Sequence, residues 1–139
     1  MMLSTGSQSI INNDELLQRF PDVDYDFEPF GNRVFVQMRL PPLRTPGGIE
    51  LSEDTLQYAY AEEQVGIVRS LGSACFLFLT SGESWPTGEA FSVGDYVRVP
   101  RHGGDNHWEG EVLFKIFKDY EILGRHRQPT KVKTVYGQF

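Results

Sequence analysis

Alternating apolar and polar positions dominate the middle of the chain and predict β-strands. Between Val34 and Arg39, Val and Met side chains occupy every second position, which is the period of a partly buried strand. Further short strand candidates follow at 65–71, 95–100, 112–117 and 120–123, separated by turn signals rich in Gly. Several short strands with little helix predict an all-β fold, either a small barrel or a sandwich.

Two longer segments interrupt the strand pattern. Pro41 and Pro42 end the first strand because proline cannot donate to a sheet ladder, and residues 40–57 are expected to form a long loop. In the second segment, 72–92, an apolar run from Phe76 to Leu79 leads into a polar tip rich in turn residues. This pattern predicts a projecting hairpin that caps the core or contacts a neighbour.

The two ends of the chain differ in charge. Between residues 14 and 28 there are six acids and one base, so residues 1–27 are expected to form a solvated acidic extension. It contains a short helix that starts near Asn13, a residue suited to capping, and closes at Pro21. Residues 125–139 carry Arg, His and Lys without any acid, which predicts a basic tail behind a domain spanning 28–124.

Composition and charge exclude several classes of protein. The chain has 139 residues, of which 40% are hydrophobic and 23% charged, which suits one globular domain. A net charge of −6 argues against a nucleic-acid binder, and no apolar run is long enough to predict a membrane span. The single cysteine, Cys75, excludes an internal disulfide framework, and its apolar surroundings are expected to raise the pKa of its thiol.

No segment carries the pattern of an enzyme active site. There is no serine in a nucleophile-elbow context and no phosphate-binding loop, so we expect no catalysis and no cofactor. His102 and His107 flank a loop containing Asp105, a set that could in principle hold a transition metal. Their spacing matches no common metal motif, so a polar glycine-rich turn without metal is the favoured interpretation.

A short segment in the first loop has the pattern of a binding peptide. Ile49 and Leu51 lie two residues apart, so in an extended conformation both side chains project to the same side. Gly47 and Gly48 precede them and give the backbone freedom. Two apolar anchors on a polar-flanked loop are typical of a segment that docks into a groove, although the same two residues could also begin a core strand.

Five segments follow one another along the chain: Phe30–Val36, Pro46–Leu51, Val65–Gly72, Val93–Gly104 and Asp119–Gly124. Together, and in this order, they resemble the GroES-type co-chaperonins. They fall between residues 28 and 124, and the resemblance implies a Greek-key β-barrel subunit that assembles into a sevenfold ring. It implies that 40–57 is a mobile loop and 72–92 a roof hairpin with Phe76, Phe78 and Trp85 as roof or subunit contacts. It further implies that Gly47, Gly48, Ile49, Glu50 and Leu51 dock on a GroEL-type chaperonin, which itself binds the ATP.

The terminal extensions and the Trp-Pro pair in the roof look more like bacteriophage-encoded members of this family. The resemblance then implies a co-chaperonin of the host cytoplasm that assists unfolded clients such as capsid proteins. A rival hypothesis is a virion structural protein, a capsid decoration or a tail or connector component, built on the same fold. In that case Ile49 and Leu51 are packed, and the extensions contact capsid or tail subunits.

Overall fold

A computed structural model describes residues 13–41, 52–78, 80–86 and 88–132 of the chain. Within these ranges there are two α-helices and six β-strands, and two short 3-10 helices follow the fifth and sixth strands. The helices are α1 (Asn13–Arg19) and α2 (Glu53–Ala61); the strands are β1 (Arg33–Met38), β2 (Val65–Leu71), β3 (Tyr96–Arg98), β4 (Asp105–Glu109), β5 (Val112–Lys118) and β6 (Gly124–Arg125); the 3-10 helices are Asp119–Glu121 and Pro129–Lys131. Within the described residues, neither α-helix is long and apolar enough to cross a bilayer.

The six strands form one antiparallel sheet in the order β4-β5-β1-β2-β3-β6. Strand β1 lies near the middle, paired with β2 on one side and β5 on the other. Its register with β2 shifts between Phe35 and Val36, an irregularity of the kind that bends a strand. The all-β class expected from the alternating pattern is confirmed.

The core lies against one face of β1. Val34, Val36 and Met38 are fully buried there, as their spacing of two predicts. They pack in one cluster with apolar side chains from the rest of the sheet, from α2 and from the segment before β3. Buried members of that cluster are Tyr60, Val68, Phe91, Val97, Val99, Leu113 and Phe117.

The other face of β1 is covered by an extended arm, residues 21–29. The Phe35 ring stacks on Phe114 with ring centres 4.6 Å apart, and Tyr25 and Phe27 of the arm close over Phe35 at 5.1 and 4.9 Å. The Tyr25 hydroxyl also donates to the Arg69 carbonyl at 2.9 Å. The expected solvated leader is therefore only half right: the acids at even positions are exposed, but the odd positions between them pack against the sheet.

A buried ion pair lies between the end of β1 and the start of β2, and its arginine also reaches the C-terminal segment. Arg39 is fully buried, and its guanidinium donates to both carboxylate oxygens of Glu63 at 2.7 and 3.2 Å. The same guanidinium donates to the carbonyls of Pro129 and Val132. Pro129 and Val132 of the basic tail are thus fastened to the domain through their backbone carbonyls.

Most of the elements expected from the pattern are present. The short helix after Asn13 and the strands β1, β2 and β5 lie where the sequence predicts them, and β3 is shorter than predicted. The strand expected at 120–123 is wrong, because a 3-10 helix forms at Asp119–Glu121 instead. Helix α2 and strand β4 were not predicted, and α2 begins at Glu53, inside the range expected for the loop.

Candidate functional site

Residues 76–78 and 83–85 pair as a short antiparallel hairpin after β2. Leu77 pairs with Ser84 across it. The Phe78 N–H donates to the Glu83 carbonyl at 2.7 Å, and the Trp85 N–H donates to the Phe76 carbonyl at 2.9 Å. This hairpin carries the three aromatic residues that the resemblance assigns to the roof.

The three roof aromatics do not share one environment. Phe76 turns inward: its ring packs edge-on against Phe91 at 4.8 Å and against Trp85 at 5.5 Å. Its backbone has a φ of 69°, in the left-handed region that bulky residues rarely adopt. Trp85 is half-buried, whereas Phe78 faces outward. Phe78 is therefore the most exposed of the three and the one best placed to contact a partner.

Asp119 fixes the hairpin to the sheet. Its buried carboxylate accepts the backbone N–H groups of Phe76 and Tyr120, both at 2.8 Å, and the Asn32 side-chain amide at 3.4 Å. One side chain thus ties together the entry to β1, the base of the hairpin and the 3-10 helix. Charge-assisted bonds of this kind compensate the unfavourable φ of Phe76.

An open groove of about 830 Å³ lies between the hairpin and the segment 119–125. Three large apolar side chains along it are conspicuously exposed: Phe78 at 47%, Tyr120 at 56% and Leu123 at 62%. An exposed apolar patch rimmed by polar groups marks an interaction surface. The other lining residues are Leu77, Thr80, Trp85, Pro86, Gly88, Glu89, Phe91, Asp119, Ile122, Gly124 and Arg125.

The groove has a structured polar rim. Arg125 donates to the Asp95 carboxylate at 3.1 Å and to the Gly88 carbonyl at 3.4 Å. Asp95 in turn accepts the Ser92 backbone N–H at 2.8 Å. The rim therefore holds the C-terminal end of the hairpin segment against β6, and the exposed aromatics lie on a supported surface.

The predicted chaperonin-binding residues Gly47, Gly48, Ile49, Glu50 and Leu51 lie outside the described residues. The chain on either side of them is well fixed. The Leu40 N–H donates to the Arg19 carbonyl, and the Arg19 guanidinium donates back to the Leu40 carbonyl, both at 2.8 Å. On the far side α2 begins at Glu53.

The structure gives the predicted reactive residues separate surroundings. Burial and the nearby Asp119 carboxylate raise the pKa of the Cys75 thiol, as the sequence predicts. Exposed His102 lies 3.4 Å from Glu62, while half-buried His107 hydrogen-bonds Glu109 at 2.6 Å. The two histidines therefore have different carboxylate partners.

Sequence reasoning missed the far wall of the groove. Tyr120 and Leu123 belong to a segment used for the resemblance, yet they were expected in a strand and were assigned no contact. One signal in the sequence could have revealed this wall. Tyr120 and Leu123 are large apolar residues beside charged ones, in a segment too short to form a strand. Neither any known family model nor any curated protein sequence matches this chain.

Proposed function

We propose that this protein is a GroES-type co-chaperonin that caps a GroEL-type chaperonin ring. The observation that carries the proposal is the position of the resembling segments in the sheet. Four of them supply β1, β2, β3 and the 3-10 helix at Asp119–Glu121. The fifth, which contains Ile49 and Leu51, belongs to the connection between β1 and α2. An all-β domain with the anchor peptide in that one connection is what the family resemblance requires.

In this proposal the anchor peptide makes the contact with the partner. Ile49 and Leu51 fill apolar grooves on the chaperonin, and Gly47 and Gly48 let the backbone reach them. The fixed flanks at Arg39 and α2 hold the two ends of the connection at the domain surface. Each contact is weak by itself, but a ring of identical subunits converts weak contacts into avidity.

In the same proposal each subunit is a GroES-like Greek-key barrel. Seven copies assemble into a homo-oligomeric ring. The apolar wall of the groove supports assembly, since Phe78, Tyr120 and Leu123 are costly to leave in water. ATP is bound and hydrolysed by the partner ring, so this chain needs no cofactor and no catalytic residue. The clients are unfolded proteins, capsid proteins first among them, in the host cytoplasm.

The test is capture of a purified bacterial chaperonin ring by this protein, with and without ATP. The variant Ile49→Asp/Leu51→Asp replaces both anchors with charges. Leu17→Asp/Val93→Asp is the matched control, because it introduces two acids at exposed apolar positions outside the loop. We expect nucleotide-dependent capture by the native protein and by the control, and none by the loop variant.

Failure of capture by a folded, oligomeric native protein contradicts the proposal. In that case the virion structural protein becomes the better hypothesis, and the chain should be found in purified particles. The exposed groove favours this second function as well, since capsid or tail subunits could cover it. Deleting residues 125–139 would then prevent incorporation into particles. Because that deletion also removes Arg125 of β6 and the two carbonyls that accept from Arg39, deletion of residues 133–139 alone is the control that keeps these contacts.

A further inference from the structure

Three side chains with metal-binding atoms meet where the arm crosses β4. His107 and Glu109 lie two apart on β4 and so project from the same face of the strand. Asp26 belongs to the arm. One ligand atom from each of the three residues lies within 4.8 Å of the others.

The imidazole is held in place by its surroundings. Rings of Phe27, Phe35 and Phe114 lie around it, with centres 5.5, 5.5 and 6.3 Å from the centre of the His107 ring. These contacts orient the ring while Nε2 points to the Glu109 carboxylate at 2.6 Å. A ligand that is already oriented loses little conformational freedom when it binds an ion.

The two carboxylates add oxygen ligands to the imidazole nitrogen, and the cluster is accessible to solvent. Glu109 lies within hydrogen-bond distance of His107, and an oxygen of Asp26 lies in the same cluster, so two carboxylates stand beside one imidazole. Asp26 is exposed, and the other two side chains are only partly buried. An ion bound here would keep at least one position open to water, as zinc sites with three protein ligands do.

The donor types select the class of ion. One imidazole nitrogen with two carboxylate oxygens suits Zn²⁺ and other late first-row divalent ions, whereas Mg²⁺ and Ca²⁺ prefer oxygen ligands alone. Tetrahedral zinc, with metal–ligand bonds near 2 Å, holds its donors about 3.3 Å apart. To bind such an ion, the ligand atoms that are farthest apart must approach one another, and the 2.6 Å distance between His107 and Glu109 must lengthen. Rotation of the Asp26 and Glu109 carboxylates allows both changes.

We propose that Asp26, His107 and Glu109 form a site for a divalent transition-metal ion, with Zn²⁺ as its first occupant. The ion replaces the proton that Nε2 now shares with Glu109, and that proton moves to Nδ1 or to solvent. Because Asp26 lies on the arm and the other two ligands lie on β4, the bound ion fastens the arm to the sheet. This site is independent of the proposed co-chaperonin function.

The test is calorimetric titration of the full, untagged chain with ZnCl₂ after treatment with a chelator, with MgCl₂ as the comparison ion. We expect one Zn²⁺ per chain and no measurable heat with Mg²⁺. Asp26→Asn and His107→Gln should each weaken zinc binding at least about tenfold, the scale seen when metal-site groups are altered. The matched controls Asp24→Asn and His102→Gln should bind as the native chain does.

Hydrogen exchange supplies a second readout that does not depend on binding heats. Zinc should slow the exchange of amides in residues 21–29 of the native chain but not of Asp26→Asn, whose exposed side chain can change without disturbing the core. No zinc binding, or binding that survives both substitutions unchanged, overturns the site. Tight binding without protection of the arm overturns the fastening role.

Discussion

The buried pair of Arg39 and Glu63 should be the most sensitive polar contact in the domain. Arg39→Met removes the guanidinium but keeps a side chain of similar length. It leaves the Glu63 carboxylate, 4% exposed, without its cation, although the backbone N–H groups of Gln64 and Val65 still donate to it. It also leaves the backbone carbonyls of Pro129 and Val132 without the hydrogen bonds that Arg39 donates to them.

Breaking a buried ion pair from one side typically costs about 3–5 kcal/mol. A domain is stable by about 5–15 kcal/mol in total, so the loss is a large share of what holds it folded. In a chain of this size each kcal/mol shifts Tm by about 3 °C, and Arg39→Met should melt about 9–15 °C lower than the native protein. Glu63→Gln keeps an oxygen for the two N–H groups and removes the charge. The double variant Arg39→Met/Glu63→Gln should therefore regain at least about 1 kcal/mol relative to Arg39→Met.

The assay is urea unfolding followed by circular dichroism, with Arg101→Met as the matched control. Arg101 is half-exposed and reaches Glu62 only at 4.0 Å, so its loss should cost less than about 1 kcal/mol. Limited proteolysis should also cut the segment 129–132 sooner in Arg39→Met, because that segment loses its anchor. If Arg39→Met is no less stable than Arg101→Met, the reasoning about this pair is refuted.

Three further outcomes follow from individual contacts. A methyl group on Gly72 would overlap the backbone carbonyl of Gly31, so Gly72→Ala should cost about 1–3 kcal/mol in urea unfolding, whereas Gly124→Ala, which meets open space, should be near neutral. Burial and neighbouring arginines lower the pKa of His126 in the folded state, so the unfolded chain binds more protons as pH falls below about 6.5. The unfolding free energy should then fall between pH 7 and 5, and less steeply in His126→Gln. Because the pKa of Cys75 is raised, a thiol-specific reagent at pH 8 should label it more slowly in the folded protein than in the urea-unfolded one.

The sequence predicts the strands whose own apolar side chains are buried in the core. In β1 apolar side chains recur at the strand period, and in β5 a short apolar run supplies buried residues, so the sequence and the structure agree. Strand β4 has no such pattern. It forms because β5 offers a free edge to pair with and because Trp108 packs edge-on against Tyr60 at 5.6 Å. A strand such as β4, which forms through contacts with distant residues, need not show an alternating pattern in its own sequence.

Local hydrogen bonds explain the strand that was wrongly predicted after β5. Residues 120–123 alternate as a strand would, but the Asp119 carboxylate takes the Tyr120 N–H, and the Glu121 carboxylate takes the Lys118 N–H at 2.8 Å. The Ile122 N–H then closes a turn on the Asp119 carbonyl. Side-chain acceptors at the start of the segment outweigh a weak strand preference.

The arm has the alternation of a strand, which its many acids make less evident in the sequence. Between Pro21 and Pro29 apolar residues occupy every odd position and acids every even one. The high acid content favoured a solvated leader, yet the same period of two fits a strip that covers a sheet face. Gln37 and Arg69 complete the attachment by donating to the Pro21 carbonyl at 2.8 and 3.3 Å.

The two kinds of candidate site differ in what a sequence can reveal. Ile49 and Leu51 stand out because both anchors of a docking peptide lie within three consecutive residues. The groove joins Phe78 to Tyr120, and the metal cluster joins Asp26 to His107, so each exists only once the chain has folded. Neither pair is special in its own segment: Phe78 continues an apolar run, and Asp26 is one acid among several. Surfaces assembled from distant segments therefore have to be found in the structure, and the groove and the arm both belong to that class.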